Sequence, residues 1–160
     1  MDPSNVKAKQ VKKQVDTQLS KQACFKPVSI KKGGEVILDA IIKHQGGKGQ
    51  IFGLCGSTTY QFDKIMQNAI DAGKLDYIHV ANETSGSYAA QNFSNDKRVG
   101  VVITTRGPGI TMAMSGIASA MREELPLLYI CGVSPTDVKD EFQNLDLSIL
   151  EKVTKKTFRI

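Results

Sequence analysis

The sequence predicts an α/β fold, an open parallel sheet with helices on both faces forming a single domain. Three observations carry this. Four short, almost wholly apolar segments recur: Ile51–Leu54, Tyr77–Val80, Val99–Thr104 and Leu127–Cys131. Segments at helical spacing separate them, so helix and strand alternate from Gly33 onward. Strands that lack polar alternation are buried on both faces, the habit of parallel sheets with crossover helices. The third observation is size: 160 residues with 41% hydrophobic side chains suffice for one core.

Each element has its own signal. Glu35–His44 places Val36, Ile37, Ala40 and Ile41 on one helical face and stops at Gly46-Gly47. Ile51–Leu54 is a strand that halts at Cys55-Gly56-Ser57. Thr58 or Thr59 can cap the next helix, in which Phe62, Ile65, Met66, Ala69 and Ile70 keep helical spacing. Tyr77–Val80 is the second strand, and the small-residue run from Glu83 to about Asn95 is its helix. Val99–Thr104 leads through Arg106-Gly107-Pro108-Gly109 into a helix over Thr111–Met121. Leu127–Cys131, entered through Pro126 and left through Gly132, is the fourth strand. The stack is a three-layer sandwich of the flavodoxin-like type.

The net charge of +5 is not a property of the whole chain. Residues 1–32 hold eight lysines against Asp2 and Asp16, a surplus of +6, which leaves −1 for the remainder. Lysine- and glutamine-rich, this stretch is read as a basic, flexible extension, with the domain proper over 33–160. It contains no arginine, and nucleic acid is not an expected partner. Lysine in place of arginine and an acid at position 2 argue against a transit peptide. No apolar run is long enough to span a membrane. Cys24, Cys55 and Cys131 are odd in number and form no C-x-x-C pair, which fits reduced thiols in a cytoplasmic compartment. With only His44 and His79, no metal site is expected in this chain.

In open α/β sheets, ligands bind beyond the carboxyl ends of the strands. Cys55-Gly56-Ser57, Asn82-Glu83 and Gly107-Pro108-Gly109 all fall at those ends. Glu83 stands out, because a carboxylate between a buried strand and a helix costs desolvation energy unless something is held there. The plainer reading is an acid favoured by the helix dipole, beside a turn built from ordinary turn residues. Two nucleotide signatures fail: Gly53-x-x-Gly56 lacks a third glycine, and no G-x-x-x-x-G-K-[ST] occurs. Cys55 has no base nearby in sequence and is read as structural. Arg106 is read as a solvated loop residue, His79 as facing a neighbouring element without a catalytic part. Met112, Met114 and Met121 are read as core or subunit interface.

Five segments together resemble a known family. They are Ile51-Phe52-Gly53-Leu54-Cys55-Gly56, Asn82-Glu83, the loop Thr104–Thr111, Gly116-Ile117-Ala118-Ser119-Ala120 and Leu125–Gly132. In order and spacing they are similar to the N-terminal pyrimidine-binding domain of thiamine diphosphate-dependent enzymes, the group of acetolactate synthase, pyruvate oxidase and the 2-oxo acid decarboxylases. Phe142-Gln143 and the stretch Ile149–Lys155 resemble the part of acetolactate synthases that closes this domain.

The resemblance implies a decarboxylase or carboligase acting on a 2-oxo acid. Glu83 matches the catalytic glutamate that hydrogen-bonds N1′ of the cofactor's aminopyrimidine and so activates the cofactor. Pro108, with Gly107 before it, matches the turn that packs on the pyrimidine. Leu54, Gly56 and Ser57 match a loop beside the cofactor of the partner subunit, and Gln143 a side chain reaching toward the reaction centre. Asn82 stands where many synthases have histidine, Cys55 where proline is usual, and Arg106 where serine is usual. The Gly-Asp-Gly…Asn pattern that binds Mg2+ and the diphosphate does not occur here. The chain is therefore expected to be a fragment of a longer enzyme, inactive alone, whose magnesium site lies on another domain; FAD is left open. A homo-oligomer, at least a dimer, is implied, with Glu83 near an interface formed by the small-residue helices. The alternative is a non-catalytic α/β binding or regulatory module that keeps the fold.

Overall fold

Helix and strand alternate along the computed structural model, which describes residues 30–134 and 145–159. The order is α1 (Gly33–His44), β1 (Gly49–Gly53), α2 (Tyr60–Asp71), β2 (Leu75–His79), α3 (Glu83–Phe93), β3 (Gly100–Thr104), α4 (Pro108–Arg122), β4 (Leu127–Cys131) and the single turn α5 (Ser148–Glu151). The basic extension read over 1–32 lies, but for its last three residues, outside the described residues, as does Gln143.

All strand pairs are parallel, in the order β2-β1-β3-β4. The side-chain period of a strand sends Ile51, Val101 and Ile103 to one face, where they pack with Leu38 and Ile41 of α1 and Met66 of α2. Phe52 and Val102 point the other way and pack with Ala90 of α3. The sheet is thus covered on both sides, which is why its central strands carry no polar alternation. The expected α/β architecture is the one observed.

The order has a functional consequence. From β1 the chain moves outward to β2, then returns past β1 to β3, so the loops leaving β1 and β3 diverge. Such a switch point opens a crevice at the carboxyl ends of the two strands. Element boundaries differ from the sequence reading in one telling place. Helix α4 begins at Pro108, three residues before the expected Thr111. Proline at the first helical position loses nothing, because no intrahelical acceptor awaits its N–H and its fixed φ is already helical. Gly107 makes the turn before it with φ 66°, a conformation that any side chain would strain.

Candidate functional site

Glu83 is the first residue of α3, and Asn82 sets its direction. The Asn82 Oδ1 accepts from the Ser85 N–H at 2.8 Å, while the Asn82 carbonyl accepts from the Ser85 hydroxyl at 2.8 Å. This double fastening satisfies an end-of-helix donor and anchors the first turn. The departure at Asn82 therefore has a structural account as an N-cap. Glu83 itself is only 9% exposed.

The carboxylate rests on the first turn of α4. A Cβ at Gly109 would lie 2.9 Å from Glu83 Oε1 and 3.5 Å from its Cδ, so glycine there leaves the space that the acid occupies. Among the described residues, no hydrogen bond or ion pair reaches this carboxylate. The N-terminal ends of two helices, α3 and α4, meet at it. Of the residues singled out in sequence, Glu83, Gly107 and Pro108 are brought together here, with Pro108 exposed.

Two further residues surround this point that sequence reasoning missed. Thr104, fully buried at the end of β3, has its Cβ 3.6 Å from the same Cβ position over Gly109. Its Oγ1 lies 2.7 Å from the Tyr129 hydroxyl of β4. Burial pushes the Tyr129 phenol well above its ordinary range; the Thr104 hydrogen bond opposes this, and the Cys131 and Glu83 charges add to it. Nothing in the sequence marks either residue, since each is one polar side chain in an apolar strand. Gly109 was visible as part of a turn, but its contact with Glu83 was not.

Leu54, Gly56 and Ser57 sit on the β1–α2 loop, which abuts the β3–α4 loop: a Cβ at Gly56 would lie 3.1 Å from Thr105 Cβ, and the Thr58 and Thr105 hydroxyls are 3.0 Å apart. Thr59 holds the N-cap position of α2 without capping it; its Oγ1 accepts from the Gly56 N–H at 2.8 Å and lies 3.0 Å from Asp63 Oδ2. The Cys55 thiol donates to the Tyr77 hydroxyl at 3.2 Å, and Tyr77 donates to the Gly53 carbonyl at 2.7 Å. Burial of its sulfur pushes the Cys55 thiol up to about 11; Asp63 acts in the same direction and the Tyr77 bond opposes it. Although the residue as a whole is exposed, it is a poor nucleophile, in line with its structural reading.

Two readings change and one narrows. Arg106 is half-buried and donates to the Ser134 hydroxyl, tying the β3–α4 loop to the end of β4. His79 is exposed at the sheet edge. Of the methionines read as core or subunit interface, Met112 and Met121 are exposed on α4 and so take no part in the core. The small residues of α3 and α4 have a partner within the chain: a Cβ at Gly116 would lie 2.3 Å from Ser87 Oγ, so these two backbones touch each other. Their outer faces carry the exposed Tyr88, Met112 and Met121. Among the described residues no group of three or more His, Cys, Asp or Glu is placed to hold a metal ion, and no helix is long and apolar enough to cross a membrane.

Residues 31–150 match the family described as thiamine pyrophosphate enzyme, N-terminal TPP binding domain. The chain belongs to that family. Among curated proteins it is similar to an acetolactate synthase of Arthrospira platensis, 30% identical over 118 residues, covering 72% of this chain and 20% of that protein. It is similar to a probable acetolactate synthase large subunit of Methanocaldococcus jannaschii, 32% identical over 133 residues, covering 81% and 22%. The acetolactate synthase isozyme 3 large subunit of Escherichia coli is 31% identical over 132 residues, covering 80% and 22%. The matched region spans about a fifth of the length of these relatives.

Proposed function

We propose that this chain is the pyrimidine-binding part of a thiamine diphosphate-dependent 2-oxo acid decarboxylase or carboligase of the acetolactate-synthase type. The observation that carries the proposal is the Glu83 carboxylate, buried, without a partner among the described residues, and laid over a glycine. An acid with no protein partner among the described residues, beside a position that a methyl group would fill, fits the flat, nitrogen-bearing edge of an aminopyrimidine. When bound, thiamine diphosphate supplies the electron sink for decarboxylation of a 2-oxo acid.

The chain's own residues have four tasks in this reading. Glu83 holds a proton at the pyrimidine N1′, and the ring, once seated, shields that bond from water. Gly107 and Gly109 let backbone approach the ring where a side chain would obstruct it, and Pro108 gives the ring an apolar surface. Leu54, Gly56 and Ser57 form the adjoining wall, and the family resemblance assigns Gln143, outside the described residues, to the substrate side. The diphosphate and Mg2+ are held by residues outside this chain, in a longer protein. The outer faces of α3 and α4, with Tyr88, Met112 and Met121, pair in a dimer in which Glu83 serves a cofactor seated on the partner subunit.

The test is Glu83→Gln in the full-length protein, assayed for decarboxylation of a 2-oxo acid panel with saturating thiamine diphosphate and Mg2+. A neutral amide keeps the shape and loses a charge-assisted bond, about 1.5–3 kcal/mol. Turnover is expected to fall at least tenfold to a hundredfold with folding unchanged. Turnover at the wild-type rate eliminates the assignment.

A further inference from the structure

The Tyr129 side chain packs on the α3 side of the sheet with Val102 and Ala90, and its hydroxyl reaches toward the carboxyl end of β3. There it meets Thr104, two residues beyond Val102 on the same face. The Thr104 hydroxyl lies 3.1 Å from the Thr105 carbonyl, to which it can donate. Its Oγ1 is also 2.7 Å from the Tyr129 hydroxyl, a bond in which either oxygen can supply the proton. Engaged by two partners, the Thr104 hydroxyl is held in one rotamer.

That rotamer matters because of what stands next to it. The Cβ position over Gly109 is 2.9 Å from Glu83 Oε1 and 3.6 Å from Thr104 Cβ, so the acid and the threonine both border that point. We propose that Tyr129 is a positioning residue for the Glu83 carboxylate, acting through Thr104, which it locks as a wall of the slot. The inference rests on the thiamine diphosphate reading and adds the layer behind the carboxylate. Among the described residues no hydrogen bond sets the direction of Glu83, so the walls do so.

The experiment measures thiamine diphosphate binding calorimetrically on the full-length apoprotein with Mg2+. Tyr129→Phe and the same-shaped Thr104→Val each remove the locking bond, and Thr104→Ser keeps it. Loss of one neutral hydrogen bond in the slot is expected to weaken binding by about threefold to tenfold for the first two variants and to leave Thr104→Ser near wild type. In a Glu83→Gln background, Tyr129→Phe is expected to have no further effect, a coupling that a general loss of stability does not produce. Binding unchanged in Tyr129→Phe, or weakened equally in both backgrounds, overturns this inference alone. A wild-type protein that binds no thiamine diphosphate overturns the functional proposal and this inference together.

Discussion

Gly109→Ala separates the stability of the fold from the working of the site. The added Cβ would lie 2.9 Å from Glu83 Oε1 and 3.5 Å from Cδ. Ordinary contact requires the carboxylate to retreat by about 0.5 Å. That movement is cheap for folding, because the obstacle is the end of a flexible side chain and Gly109 has an ordinary helical φ. Alanine in place of glycine in a helix gains up to about 1 kcal/mol. The site behaves oppositely. If the displaced acid no longer aligns with N1′, the charge-assisted bond worth about 1.5–3 kcal/mol is lost, and turnover falls about tenfold to a hundredfold. The assay pairs thermal unfolding with turnover on the same full-length preparation. Gly33→Ala is the control, since nothing lies within 4 Å of a Cβ there. A Gly109→Ala protein with wild-type turnover would refute the reasoning, because the slot would then tolerate a filled position.

Two further outcomes are expected. Gly116→Ala drives a Cβ to 2.3 Å from Ser87 Oγ and 2.8 Å from the Ser87 backbone, which cannot swing aside; overpacking of about 2–3 kcal/mol should lower the unfolding midpoint by roughly 5–10 °C, and an unchanged midpoint would show that α3 and α4 do not meet here. Alkylation of Cys55 should be slow at pH 8, where a thiol raised to about 11 has roughly one thiolate in a thousand, and should still be rising between pH 9 and 11; a rate that levels off by pH 9 would contradict the burial and Asp63 account.

The sandwich was readable because its signals are local. Four short apolar runs set between helical segments read as parallel strands, although only the central β1 and β3 are buried throughout while β2 and β4 keep exposed positions; Gly46-Gly47 and Pro126 end or begin elements by backbone chemistry alone. The start of α4 was misplaced for a related reason: Gly-Pro-Gly suits a turn as well as a first helical turn, and local sequence does not choose between them. Glu83 was identifiable as out of place, an acid between a buried strand and a helix. The charge of the first 32 residues and the scarcity of histidine needed no structure either.

Only the tertiary structure decided what stands around Glu83. Gly109, Thr104 and Tyr129 stand 26, 21 and 46 positions away from it in the chain, and their meeting depends on the order β2-β1-β3-β4 and on how closely α3 approaches α4. The same holds for the small residues of those helices, whose composition permits close approach without naming the partner; the Ser87–Gly116 seam shows that the partner lies within the chain. Periodicity reports which face of an element is buried, because burial imposes the period of the element itself. Which elements share that face is set by packing across the sheet, and no local pattern carries that information.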